Sequence, residues 1–172
     1  MKVKLAQQKV TINAPRELVF QLMSAIGKGT LPGGSGERSK VLERDGDTLI
    51  AEFFTPSGKK VYRTVEEVRL FSPERITYRH LEGPLAYVQE EFFLDEVEDG
   101  TQLTYTAEIG HRVPYLPGIG WLTAIVYIRP KYDALIREHI AQIKAAAEAR
   151  AARSHVFRRR VPEPSTTTQA DQ

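Results

Sequence analysis

The stretch SKVLERDGDTLIAEFFTPSGKKVYRTVEEVRLFSPERITYRHLEGPLAYVQEEFFLDEVEDGTQLTYTAEIGH, residues 39–111, decides the fold. It reads as strand after strand, with no helical stretch between them. Ser39–Arg44 and Thr48–Thr55 flank Asp45-Gly46-Asp47, a hairpin turn. Pro56-Ser57-Gly58 makes the next turn, and Lys60–Leu70 is a long strand ended by Ser72-Pro73-Glu74. Arg75–Glu82 follows, then the Gly83-Pro84 turn, Ala86–Glu96, an acidic turn ending in Asp99-Gly100, and Thr101–His111. Parallel crossovers need about a dozen residues or more, so short turns at every junction predict an antiparallel meander.

Upstream, Val3, Leu5, Val10 and Ile12 alternate with polar residues, so Lys2–Asn13 reads as one more strand, the seventh. Asn13-Ala14-Pro15 then starts a short helix. Asn13 or Ala14 is the expected cap, and Pro15 the first-turn residue whose missing N–H has no partner there. Leu18, Val19, Leu22 and Met23 supply its apolar face. Downstream, Trp121, Ile125, Ile128, Tyr132, Leu135, Ile136, His139, Ile140 and Ile143 recur at helical spacing, followed by alanines to Ala152. Pro130 lies within this pattern and predicts a kink or a restart of the helix. A single antiparallel sheet has one apolar face to cover, and a long terminal helix can cover it.

The chain of 172 residues, 41% hydrophobic, is most simply one globular domain. A net charge of +2 gives no strong pull toward nucleic acid. With no cysteine, disulfides, thiolate catalysis and Cys-ligated zinc are excluded. Met1–Leu5 lacks the apolar run of a signal peptide, and nothing approaches the ~20 apolar residues of a membrane span, so the expectation is a cytoplasmic protein. The composition divides residues 1–152, a folded domain, from residues 153–172, a basic tail expected to be disordered. The tail arginines, Arg153 and Arg158 to Arg160 with Arg150 before them, are read as solvated charges, with weak contact to an acidic membrane or RNA as the alternative.

Two motif readings fail. The glycine-rich Gly27–Gly36 has Leu22 where a phosphate loop needs its first glycine, and Glu37 where an esterase elbow needs its last. His80, His111, His139 and His155 are widely spaced with no His-x-x-x-His pair, so no metal and no cofactor is expected. Strand alternation carries more. Phe92 and Leu94 bring Val88 and Glu90 onto the inward face, and Ile76 and Tyr78 bring His80. Val68 and Leu70 do the same for Glu66, with Tyr62 and Thr64 further along, and Leu103, Tyr105, Ala107 and Ile109 face inward beside them. Hairpin pairing then draws Glu66, His80 and Glu90 together as candidate catalytic groups, unless a bulge flips part of a strand. The structural alternative is that His80 simply pairs with Glu66.

Several segments resemble one superfamily. Val10-Thr11-Ile12-Asn13-Ala14-Pro15-Arg16-Glu17-Leu18-Val19-Phe20 resembles the opening of START-like, or SRPBCC, proteins. Ser72-Pro73-Glu74-Arg75-Ile76 looks like their turn between two middle strands, and Gly100-Thr101-Gln102-Leu103-Thr104-Tyr105 like the lead into their final strand. The likeness spans about residues 3–150, and relatives by resemblance are polyketide cyclase/dehydrase-like proteins, coenzyme-Q-binding-like proteins and the Bet v 1 group. It implies an α+β helix-grip fold: a curved seven-stranded antiparallel sheet wrapped around a long C-terminal helix, with a cavity between them. The family has no shared catalytic motif, so no active-site residue carries over. Gly27–Gly36 stands where many members place a second short helix.

The expected ligand is a small hydrophobic molecule of lipid, isoprenoid or aromatic, polyketide-like kind. Its candidate contacts are Tyr62, Tyr78, His80, Val88, Glu90, Phe92 and Tyr105 from the strands, with Trp121, Ile125 and Tyr132 from the helical side. Three functions follow: a carrier or sensor, a cyclase/dehydratase-type enzyme using the inward Glu, His and Tyr residues, or an interaction protein acting through its surface or tail.

Overall fold

A computed structural model describes residues 2–28, 38–57, 59–110 and 129–160. Its strands are β1 (Lys2–Lys4), β2 (Gln8–Ile12), β3 (Arg38–Asp45), β4 (Thr48–Ser57), β5 (Lys60–Phe71), β6 (Arg75–Glu82), β7 (Tyr87–Val97) and β8 (Gly100–Gly110). The helices are α1 (Arg16–Met23), between β2 and β3, and α2 (Arg129–Arg160). The strands form one antiparallel sheet in the order β1-β8-β7-β6-β5-β4-β3, with β2 also paired to β8. Every neighbour from β3 to β8 is joined by a hairpin, as the short turns require.

Eight strands appear where seven are expected because the first is in two pieces. Lys4 lies opposite Glu108 and Gln8 opposite Tyr105, so four steps on one side match three on the other. The extra residue reverses the alternation: Val3 and Leu5 point inward before it, Val10 and Ile12 after it. The N-cap of α1 is Pro15, not Asn13 or Ala14, and no side chain caps the helix. Asn13 instead gives its backbone N–H to Glu148 of α2. The buried face of α1 is Val19, Phe20 and Met23.

Two positive-φ glycines set the turns. Gly46, at φ 56°, makes the β3–β4 hairpin, and a Cβ there would meet nothing within 4 Å. Gly100, at φ 131°, starts β8 where the chain passes from β2 into α1, and a Cβ there would lie 2.3 Å from the Ile12 carbonyl oxygen. Thr101 next to it donates its hydroxyl to the Ala14 carbonyl at 2.7 Å. The Gly-Thr and Ala-Pro segments are therefore two halves of one junction.

On α2, Ile136, Ile140, Ile143, Ala147 and Ala151 are buried at spacings of four, three, four and four residues, one stripe along the helix. They join Val19, Val68, Ile76, Val88, Leu94, Leu103 and Tyr105 in a single core between α1, α2 and the inner sheet face. Leu135 falls off this stripe and is exposed, contrary to its place in the expected series. Pro130 stands at the beginning of the described part of α2, and the stretch before it, where a kink or restart would show, lies outside the described residues. The described part of the helix runs on to Arg160, and so takes in Arg153–Arg160. Residues 161–172, most of the Gly27–Gly36 segment, and the stretch 111–128 with His111, Trp121 and Ile125 lie outside the described residues. Among the described residues, no helix is long and apolar enough to cross a membrane.

Glu148 ties α2 to the β2–α1 junction. Its carboxylate accepts from Asn13 N–H at 2.9 Å and from Lys144 Nζ at 2.6 Å, and Lys144 also reaches the Thr11 carbonyl at 2.6 Å. The Lys144 hydrogen bond, then the Asn13 amide, hold the Glu148 carboxyl below its ordinary 4.5. A carboxyl depressed by folding stabilises at pH values above its unfolded pKa, and that contribution is lost as pH falls through the lower folded value. Glu148→Gln is expected to cost about 1 kcal/mol at neutral pH, a small figure because the pair is part-exposed. The difference from wild type should fade below about pH 4 in urea titrations at stepped pH. A gap that does not shrink in acid would show that charge plays no part.

Candidate functional site

The inner sheet face is a lattice of alternating residues in register. Glu66 on β5 stands opposite Ala51 and His80, while Tyr78 on β6 stands opposite Val68 and Glu90. Glu90 on β7 therefore sits one diagonal step from His80. Glu66, His80 and Glu90 each offer a ligating atom, and these atoms lie within 4.8 Å of one another. The sheet does contain a bulge, which leaves Leu81 between the pairs Glu66–His80 and Val65–Glu82. It falls one residue past His80, so the inward assignment of Ile76, Tyr78 and His80 stands.

Among the described residues, specific oxygens and nitrogens hold this cluster. His80 Nε2 is 3.1 Å from Glu66 Oε1, with both side chains 9% exposed. The Thr64 hydroxyl, two residues along the same face of β5, donates to the same Glu66 oxygen at 2.5 Å. Glu90 Oε1 accepts from the Tyr105 hydroxyl at 2.7 Å and from the Tyr132 hydroxyl of α2 at 3.0 Å. Both hydrogen-bonded carboxylates thus turn a second oxygen elsewhere. His80 Nδ1 is buried and has no hydrogen-bond partner among the described residues.

Burial, then the nearby Glu66 charge, push the Glu90 carboxyl above its ordinary value, against the pull of His80 and the two tyrosines. Burial by itself would lower the His80 imidazole, but the hydrogen bond and charge of Glu66, with the charge of Glu90, outweigh it and leave His80 raised. The Tyr105 phenol is pushed far up by burial and then by Glu90, so it stays a donor. The arrangement at neutral pH is an imidazole bonded to a carboxylate, beside a carboxyl that resists ionisation.

Aromatic rings border the cluster. Phe53 and Tyr78 meet edge to face at 6.3 Å, as do Tyr78 and Phe92 at 5.8 Å, and Phe92 and Tyr105 meet at a tilt at 4.9 Å, a chain of rings across the inner face. Phe53, Tyr78 and Tyr132 are only partly buried. Val88 is fully buried in the core beside them.

Of the residues expected at the site, Glu66, His80, Glu90, Tyr78, Phe92, Tyr105 and Tyr132 come together. Tyr62 shares their face but lies near the start of β5, 43% exposed, away from the cluster. Trp121 and Ile125 are outside the described residues. Phe53 was not among the expected contacts, although Leu49, Ala51 and Phe53 alternate and so carry the signal. Asp133 was missed as well: it is buried on α2, where its carbonyl accepts from Gln8 Nε2 at 3.3 Å. On the opposite sheet face, a concavity of about 410 Å³ is lined by Glu67, Arg69, Phe71, Arg75, Arg79 and Glu91. Arg69 and Arg79 are both paired there with Glu67, which makes it a solvated charge ladder.

No family model and no curated protein matches the sequence. Solved structures do. The di-domain ARO/CYC StfQ from the steffimycin biosynthetic pathway superposes with a TM-score of 0.73 at 18% identity, covering 88% of this chain and 52% of that one. The Zhui aromatase/cyclase from Streptomyces sp. R1128 gives 0.66 at 19% identity, with 89% and 95% covered. A START superfamily protein from Mycobacterium smegmatis gives 0.61 at 16% identity, with 88% and 99% covered. This chain spans about half the length of the di-domain proteins it matches. The likeness is one of architecture, an antiparallel sheet closed on one face by a long C-terminal helix, and the chain has the START-like, Bet v 1-like helix-grip fold.

Proposed function

We propose that the chain binds a small, largely apolar molecule between the inner sheet face and α2, as a carrier or sensor. One observation carries this reading: a buried Glu66–His80–Glu90 cluster set in an otherwise apolar face. Such a cluster costs desolvation energy that an apolar core would not. Its value lies in orienting a polar group on a guest whose body packs against partly buried rings such as Phe53, Tyr78 and Tyr132. A cyclase/dehydratase-type enzyme is the second reading, favoured by a carboxyl whose ionisation burial disfavours, beside an imidazole–carboxylate pair. The aromatase/cyclase structures on the same fold are consistent with it.

Ligand uptake is the test. A panel of polycyclic phenols, isoprenoids and fatty acids would be screened by thermal unfolding and native mass spectrometry. A ligand present at about 100 times its Kd should raise Tm by about 5–10 °C. A panel that neither shifts Tm nor yields a bound mass would remove the proposal.

A further inference from the structure

We propose that Glu66, His80 and Glu90 form a binding site for one divalent first-row transition ion, of the Zn2+, Co2+, Mn2+ or Fe2+ class. The spacing of histidines along the chain is blind to such a site, because its ligands come from three adjacent strands rather than from one helix turn. The geometry suits an ion. Two ligands about 2.1 Å from a metal and 3.1 Å from each other, the separation of His80 Nε2 and Glu66 Oε1, subtend roughly 95° at it, between tetrahedral and square values. Glu90 offers a carboxylate oxygen within 4.8 Å of the other two ligating atoms, near enough for a small side-chain adjustment to bring it to the ion.

The supporting groups are those a metal site needs. Tyr105 and Tyr132 both donate to one Glu90 oxygen, and Thr64 donates to Glu66, so each carboxylate is held by a hydroxyl and can present a free lone pair inward. Charge favours it too. With both carboxyls ionised and the imidazole neutral, the state that a bound metal requires, the three side chains carry minus two, which one dication cancels within the low-dielectric interior. Donor type sets the class. One imidazole nitrogen with carboxylate oxygens suits these metals better than Ca2+ or Mg2+, which take mostly oxygen, or Cu(I), which takes sulfur. Three protein ligands leave at least one coordination position open toward the rings, where an oxygen of the guest would bind. Only that last role rests on the ligand-binding reading above; occupancy by the ion does not.

The test uses the full chain stripped of metal with a chelator and titrated with Co2+, then Zn2+. One equivalent per chain should bind, with visible Co2+ bands that Zn2+ abolishes. Replacing a ligand should cost more than the 10–100-fold typical of outer-shell changes, so E66Q, E90Q and H80A should each lose at least about 100-fold in affinity. Circular dichroism checks that each variant folds. Should one fail to fold, the wild-type protein answers alone: bound Zn2+, which is diamagnetic, should shift the ring resonances of His80 and leave those of the other three histidines in place. Absence of binding, undiminished affinity in the variants, or shifts at another histidine would overturn the site. Apolar ligand uptake that persists in chelator, with no metal bound, would end this inference and leave the proposed function standing.

Discussion

Replacing His80 with leucine is expected to destabilise the protein by about 3–5 kcal/mol, the range for removing one partner of a buried ion pair. His80 and Glu66 are each 9% exposed, and His80 Nε2 is the one nitrogen described on the Glu66 carboxylate. Without the imidazole, Glu66 keeps only the Thr64 hydroxyl among the described residues and faces the second carboxyl of Glu90. The double variant Glu66→Met/His80→Leu removes the stranded charge along with its partner. It should recover most of the loss, so that the pair is more stable than His80→Leu alone by about 2–3 kcal/mol. Urea midpoints of the two single variants and the double one close the cycle. A double variant no better than His80→Leu would mean that the cost is packing, and that no charge is held there.

Gly100→Ala should cost at least about 3 kcal/mol, against about 1 kcal/mol for Gly46→Ala. Gly46, at φ 56°, lies in the left-handed region that other residues can enter, whereas Gly100, at φ 131°, lies outside it. The two also differ in what a methyl group would meet. At Gly46 there is nothing within 4 Å, whereas at Gly100 the carbonyl of Ile12 is 2.3 Å away and the amide of Ala14 is 2.9 Å away. These are backbone atoms of a junction whose side chains, Ile12 and Thr101, are fully buried, so neither can swing aside. Separating them would also stretch the Thr101 to Ala14 hydrogen bond. Equal losses at the two positions would show that the junction yields, contrary to its burial.

The sheet was legible because turn chemistry and period-two alternation act over a few residues. Asp45-Gly46-Asp47 marked its hairpin, and the alternation of Val68/Leu70, Ile76/Tyr78 and Phe92/Leu94 placed Glu66, His80 and Glu90 on one face. What remained hidden is non-local. The slip between β1 and β2 is set by pairing with β8, which no pattern within residues 2–13 contains. Likewise the cap at Pro15 could not be read, because Asn13 spends its amide on Glu148, distant in sequence. Leu135 was misplaced because a run of apolar residues wider than the buried stripe does not say which edge meets the core. The site was legible as a set of inward residues but not as a bonded cluster. That two tyrosines from different elements converge on a single Glu90 oxygen depends on α2 docking over β7.

The last strand in the sheet order, β3, has a partner on one side only among the described residues. Its pairing with β4 slips between Val41 and Glu43, and its exposed positions include Arg38, Lys40, Glu43, Arg44 and Asp45. A second molecule trying to zip onto this free margin would meet a kink in the hydrogen-bond ladder and a row of charges to desolvate. The protein thus carries its own obstacle to strand-by-strand polymerisation, and concentrated solutions should resist fibril growth from that side.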